Sequence, residues 1–193
     1  MKEIIFASGN KGKIAEVKGI FSGTDYQIIS LYDLGAVPDI IEDGDTFEEN
    51  AKIKAKFIFD IYKRPVIADD SGLTVEQLHG APGVYSARYA GENCTYLDNN
   101  LKLINALKDL PDPHKAKFVC CAVYLDNKNY YHQTGELSGR IISELKGSNG
   151  FGYDPVFIAD RFEQTLAEMD SSQKNKMSHR ALAFNKLKEV LIK

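Results

Sequence analysis

The chain has 193 residues, 44% of them hydrophobic and 26% charged, which is enough apolar material for one folded domain, with or without two lobes, and too much for a disordered polymer. A formal net charge of −3 argues against a general nucleic-acid binder, which is normally basic, so phosphate binding would have to come from local Lys, Arg and backbone amides. Cys94, Cys120 and Cys121 show no CxxC or Cys/His spacing, which argues against a zinc site and fits reduced thiols in a cytoplasmic protein; no apolar run reaches a membrane-spanning length, and residues 1–7 do not read as a signal peptide.

In chain order, residues 3–7 read as a first strand that opens into Ser8-Gly9-Asn10-Lys11-Gly12-Lys13, followed by a helix with Ile14, Val17, Ile20 and Phe21 at helical spacing. A second strand is predicted at 26–31 and an acidic loop at 38–45. Thr46 with Glu49 forms a capping box that starts a helix ending at Arg64-Pro65. A third strand then runs into the acidic turn Ala68-Asp69-Asp70-Ser71-Gly72, with a further short strand at 73–78. An ordered loop at 79–92 and a helix at 95–108 come next. Apolar runs at 116–125 and 129–137 flank Asp126-Asn127-Lys128-Asn129 as a β-hairpin. A glycine-rich loop at 147–154, a short strand at 155–158 and a helix at 173–191 complete an α/β pattern with a mixed sheet, read as a single domain over 1–193.

Four segments offer chemistry. The adjacent carboxylates Asp69 and Asp70 repel, and burying them needs a cation or donors. Hard oxygen ligands suit magnesium, and the same residues suit a solvated turn. The loop at 8–13 presents free amides, a helix N-terminus and the charges of Lys11 and Lys13, which is good chemistry for a polyphosphate, although it lacks the Walker pattern. Lys54, one turn past Asn50, shares its helix face. In Gly150-Phe151-Gly152-Tyr153-Asp154-Pro155, the glycines admit close backbone approach, an aromatic ring can stack on a base, and a carboxylate can accept a ring N–H. Lys174 and Ser178-His179-Arg180 fall on the last helix and supply donors for a purine carbonyl oxygen or a solvated face.

Taken in order, Ser8 to Lys13, Thr46-Phe47-Glu48-Glu49-Asn50-Ala51, Ala68 to Leu73, Gly80-Ala81-Pro82-Gly83-Val84-Tyr85-Ser86-Ala87-Arg88-Tyr89, Gly150 to Pro155 and Ser178-His179-Arg180 resemble the inosine triphosphatase family, also called Ham1-like or non-standard purine nucleoside triphosphate pyrophosphatases. The resemblance implies magnesium-dependent hydrolysis of ITP, dITP or XTP to the monophosphate and pyrophosphate, clearing deaminated purines from the nucleotide pool. It also implies a long mixed sheet flanked by helices, two lobes around an active-site cleft in the inosine triphosphatase-like and Maf-like manner, and a homodimer with no nucleic-acid or membrane partner.

Carried over by position, Asp70 is the catalytic base and a metal ligand. Ser8, Gly9, Asn10, Lys11, Gly12, Lys13, Ser71, Phe151, Gly152, Tyr153, Asp154, Lys174, His179 and Arg180 are substrate contacts, with Phe151 the stacking ring. Glu42 is assigned as the second magnesium ligand, with Asp39 or Asp43 as alternatives, and Lys54 is expected to hold departing pyrophosphate with Lys13. Ser8 stands where many relatives have Thr; both offer a hydroxyl.

Overall fold

The computed structural model describes residues 1–35 and 38–192. Six strands form one mixed sheet in the order β2-β1-β3-β4-β5-β6: β1 (Lys2–Phe6), β2 (Tyr26–Ser30), β3 (Val66–Val75), β4 (His114–Leu125), β5 (Tyr130–Ile141) and β6 (Phe157–Ala159). The helices are α1 (Lys11–Phe21), α2 (Phe47–Tyr62), α3 (Tyr96–Leu107), α4 (Ser171–Met177) and α5 (His179–Ile192). β1 pairs in parallel with β2 and β3, while β6 pairs antiparallel with β5. No helix among the described residues is long and apolar enough to cross a membrane.

The chain divides into two compact units, and it passes from one to the other within β3, β4 and β5 and again at Ser178–His179. The first comprises 1–70, 120–135 and 179–193. Its part of the sheet is covered on both faces, and the alternation of β3 sorts its neighbours. Ile67 joins Phe6 of β1 and Val17, Phe21, Phe184 and Leu187, the apolar stripes of α1 and α5. Val66 and Ala68 join Ala51, Ala55 and Ile58, the stripe of α2. The start of α5 is seated directly on β5 because residue 135 is glycine: a Cβ there would lie 2.2 Å from the His179 carbonyl oxygen and 2.5 Å from the Ala183 nitrogen.

The second unit comprises 71–119 and 136–178. Its core gathers Leu73 and Val75 of β3, Leu103 and Leu107 of α3, and Phe157 with Leu166 and Met169 near the glycine-rich loop. The predicted capping box, Thr46 with Glu49 on α2, is formed, and α3 carries a second, unpredicted one, Thr95 with Asp98. The predicted hairpin is present too, its turn tied by Asp126 Oδ1, which accepts from the amides of Lys128 and Asn129 at 2.7 Å each.

Three expectations are corrected. The acidic turn at 68–72 is no turn: β3 runs unbroken from Val66 to Val75, because its carboxylates find cations on either side of the sheet. The separate strand at 73–78 is therefore the end of β3 followed by a 3-10 turn at Glu76–Leu78. The single C-terminal helix is two, broken where Ser178 adopts an extended backbone (φ −61°, ψ 149°) while its N–H donates to the Lys174 carbonyl oxygen at 2.9 Å. The break coincides with the passage from one unit to the other.

Candidate active site

Consecutive residues of a strand face opposite ways, so Asp69 and Asp70 belong to different neighbourhoods. Asp69 turns toward α1 and α5, where Lys13 Nζ lies 3.0 Å and Arg180 Nε 3.2 Å from its Oδ2. Arg180 is 1% exposed, and its Nη1 reaches Glu16 Oε2 at 2.7 Å. The Cys120 thiol points at the same carboxylate oxygen, 3.7 Å away. Burial alone would raise the Asp69 pKa, but the opposing charges of Lys13, Arg180 and Lys54 outweigh it and hold the carboxyl well below the usual range. Burial, joined by the Asp69 charge, pushes the Cys120 thiol up. Asp69 Oδ1 is buried with no hydrogen-bond partner among the described residues.

Asp70 turns the other way, toward α2. Lys54 Nζ lies 3.3 Å from its Oδ1 and 2.5 Å from Glu42 Oε2. Asn50, one turn earlier on the same helix face, donates from Nδ2 to Asp70 Oδ2 at 3.3 Å and accepts the Gly44 N–H at Oδ1, 2.8 Å. Two carboxylates thus converge on one ammonium. Burial works against the charged lysine, yet Asp70, Glu42 and Asp69 together raise its pKa.

Among the described residues no three His, Cys, Asp or Glu side chains gather as a metal cage. Glu42 and Asp70 still fit magnesium in its commonest protein setting, one or two carboxylates completed by waters and substrate phosphates. Their oxygens already meet around a cation, the Lys54 ammonium. Asp39 and Asp43, the alternatives to Glu42, are exposed.

The loop into α1 is self-braced. Asn10 is the N-cap, its Oδ1 accepting the Lys13 N–H at 3.1 Å, and Ser8 Oγ accepts the Asn10 N–H at 3.2 Å. Tyr32 donates its hydroxyl to the Gly9 carbonyl oxygen at 2.9 Å, and Lys11 Nζ lies 5.8 Å from the centre of the Tyr32 ring. The first turn of α1 holds no acidic residue, so its amides present positive charge suited to phosphate, beside Lys13, whose ammonium is paired with Asp69 at 3.0 Å.

In the second unit the glycine-rich loop is organised by Asp154, 3% exposed, whose Oδ2 accepts from Lys174 Nζ at 2.6 Å and from the Phe151 N–H at 2.8 Å. Lys174 Nζ also sits 4.8 Å from the centre of the Phe151 ring. Gly150 adopts φ +76°, and a Cβ on it would lie 2.0 Å from Asp154 Oδ2. Asn100 of α3 donates to the Gly152 carbonyl oxygen at 2.9 Å. Tyr96 places its ring 6.3 Å from that of Phe151. Tyr153 is a buried strut, its hydroxyl donated to the Ser86 carbonyl oxygen at 2.9 Å.

The expected residues therefore sort by unit. Ser8 to Lys13, Glu42, Lys54, Asp70, His179 and Arg180 lie in the first; Ser71, Phe151 to Asp154 and Lys174 lie in the second. Because the last helix is broken, Lys174 does not share a helix with His179 and Arg180. His179 is buried at the start of α5, and the Arg180 guanidinium is engaged by Asp69 and Glu16. Sequence reasoning missed Asn50, Glu16, Asn100 and Tyr32. Of these, Asn50 alone left a local signal, standing four residues before Lys54.

The comparisons with known proteins agree with one another. The Ham1 family profile matches residues 4–190. A protein of Thermoanaerobacter pseudethanolicus named dITP/XTP pyrophosphatase is 48% identical over 192 residues, covering 99% of this chain and 97% of its own. Among solved structures, the Ham1 protein of Staphylococcus aureus superposes with a TM-score of 0.88 at 43% identity, covering 98% of each chain. A HAM1 protein of Coxiella burnetii superposes with a TM-score of 0.91 at 39% identity, covering 100% of this chain and 99% of its own.

Proposed function

The chain belongs to the Ham1 family, and from that premise we propose that it hydrolyses non-standard purine nucleoside triphosphates (ITP, dITP and XTP) to the monophosphate and pyrophosphate with magnesium as cofactor. The observation that carries the reading is the convergence of Glu42 and Asp70 on Lys54. Two carboxylates beside one ammonium would hold a magnesium ion near a phosphate, and one of them can accept a proton. Magnesium, held by Glu42 and Asp70, supplies charge neutralisation and a more acidic water when bound.

The chain's own groups divide the remaining work. Asp70 accepts the proton of the water that attacks the α-phosphorus. Lys13, Lys54 and the first-turn amides of α1 stabilise the charge that builds on departing pyrophosphate. Phe151 stacks on the purine, and Lys174, oriented by Asp154, donates to its 6-oxo group. Adenine presents an amino group there and leaves that donor unmatched, which costs binding. A homodimer and a cytoplasmic location are part of the same reading.

The test is ITP turnover with magnesium, products resolved by chromatography, for wild type and Asp70→Asn. IMP with pyrophosphate, lost in the variant, supports the assignment. IDP with phosphate would move the attack to the γ-phosphorus and sink it.

A further inference from the structure

We infer that Asn50 is a positioning residue that sets the spacing between Glu42 and Asp70; the inference rests on the metal reading proposed above. Asn50 is 1% exposed. Its amide spends both ends on this one region: Oδ1 holds the Gly44 N–H at 2.8 Å, and Nδ2 holds Asp70 Oδ2 at 3.3 Å. Gly44 lies two residues beyond Glu42, so a single neutral side chain ties the acidic loop to β3.

Lys54 also joins the two carboxylates, but it does so by charge, and a substrate phosphate competes for that charge. Asn50 carries none, so its ties persist when phosphate draws the ammonium away. A side-chain amide offers an acceptor and a donor on separate atoms, without charge. Aspartate would lose the donor and add a third negative charge, and alanine would lose both bonds.

Gly44 is the complementary half of the device. A Cβ there would lie 2.7 Å from Glu49 Cβ, 2.9 Å from Asn50 Oδ1 and 3.1 Å from the Asn50 nitrogen. Any side chain at 44 therefore pushes the loop off the start of α2. Asparagine is a mediocre residue for a helix interior, and nothing in the apolar packing of α2 calls for one at this position.

The experiment compares wild type, Asn50→Ala, Gly44→Ala and Ile58→Val, the last a core truncation on the other turns of α2, buried among apolar side chains. Two quantities are read: the magnesium half-saturation of ITP hydrolysis, and amide hydrogen exchange at residue 44 without metal or nucleotide. Groups that orient metal ligands typically change affinity roughly 10–100-fold when removed, and that shift in half-saturation is expected for Asn50→Ala with the KM for ITP at saturating magnesium preserved. Losing the hydrogen bond speeds exchange at Gly44 by about tenfold, with exchange in the middle of α2 unchanged. Ile58→Val lowers the melting point and moves neither.

If Asn50→Ala behaves like Ile58→Val, Asn50 is structural only and the inference fails. Should that variant not fold, Gly44→Ala carries the test, and an unchanged half-saturation there overturns the inference equally. Wild-type turnover that ignores magnesium overturns the metal reading and this inference with it. Magnesium-dependent wild type beside an unaffected variant overturns this inference alone.

Discussion

Replacing Asp69 by asparagine should damage stability far more than its small change in shape suggests. The Arg180 side chain is 2% exposed and that of Asp69 is 0% exposed, so removing the carboxylate charge takes from a buried guanidinium one of the carboxylates that face it, while Glu16 remains. Breaking a buried pair from one side costs about 3–5 kcal/mol, because the surviving charge keeps its desolvation penalty. For a chain of this size 1 kcal/mol moves the melting point by about 2–4 °C, so a fall of about 6–20 °C is expected. Urea unfolding and calorimetry of Asp69→Asn, Arg180→Met and the double variant form the assay. The double variant should be less damaged than the sum of the singles, with a coupling of about 0.5–3 kcal/mol.

The pH dependence gives a second reading of the same pair. A carboxyl whose folded pKa lies below its ordinary value of 3.8 contributes stability that is present above that value and is lost as pH falls through the folded pKa. Asp69→Asn should therefore flatten part of the acid limb below 3.8 while leaving the neutral plateau level. Asp33, Asp60, Asp98, Asp126 and Asp170 are also held low, but they are common to both proteins and cancel in the difference. A loss of under about 1 kcal/mol, with additive singles, would refute the buried-pair argument.

Two further expectations concern the site and its scaffold. Phe151→Ala should raise the KM for ITP by about 5–150-fold, the equivalent of the roughly 1–3 kcal/mol that stacking on a base supplies; an unchanged KM would remove Phe151 from base recognition. Gly135→Ala places a methyl 2.2 Å from a backbone carbonyl oxygen of α5. Backbone cannot rotate away as a side chain can, so a loss of about 1–3 kcal/mol or more in unfolding free energy is expected from urea titration, and a neutral result would show that α5 can lift off β5 freely.

What the sequence disclosed was what is local. The capping box of α2 spans four residues and is formed where Thr46 stands three before Glu49. The hairpin turn at Asp126–Asn129 closes on its own side chain. What it concealed was decided by partners far along the chain. Asp-Asp-Ser-Gly has turn composition, yet it is strand because Lys13, Arg180 and Lys54 arrive from three separate helices. Arg180 contacts Asp69 across 111 positions and Glu16 across 164, distances at which no spacing rule operates. The roles of Asn50 and Gly44 were hidden for a different reason: they exist only once a loop has folded back on the helix that follows it.

The adjacency of Asp69 and Asp70 is then best understood as one strand serving two faces with opposite demands. On the α1 and α5 side the carboxylate is sealed, paired with the buried Arg180 and the part-buried Lys13 and held ionised, a condition that favours rigidity and disfavours proton exchange. On the α2 side the carboxylate shares a lysine with a second carboxylate that is 31% exposed, a condition that leaves room for a metal, a water and a proton. The same substitution should accordingly give opposite phenotypes at neighbouring positions. Asp70→Asn removes a charge that both repels Glu42 and pairs with Lys54, and Glu42 stays on that lysine, so the melting point should fall less than in Asp69→Asn while turnover is lost. Asp69→Asn should unfold the protein at lower temperature, and such activity as survives in its folded fraction should keep the wild-type dependence on magnesium. Equal melting-point losses at the two positions would show that the strand does not separate the two roles.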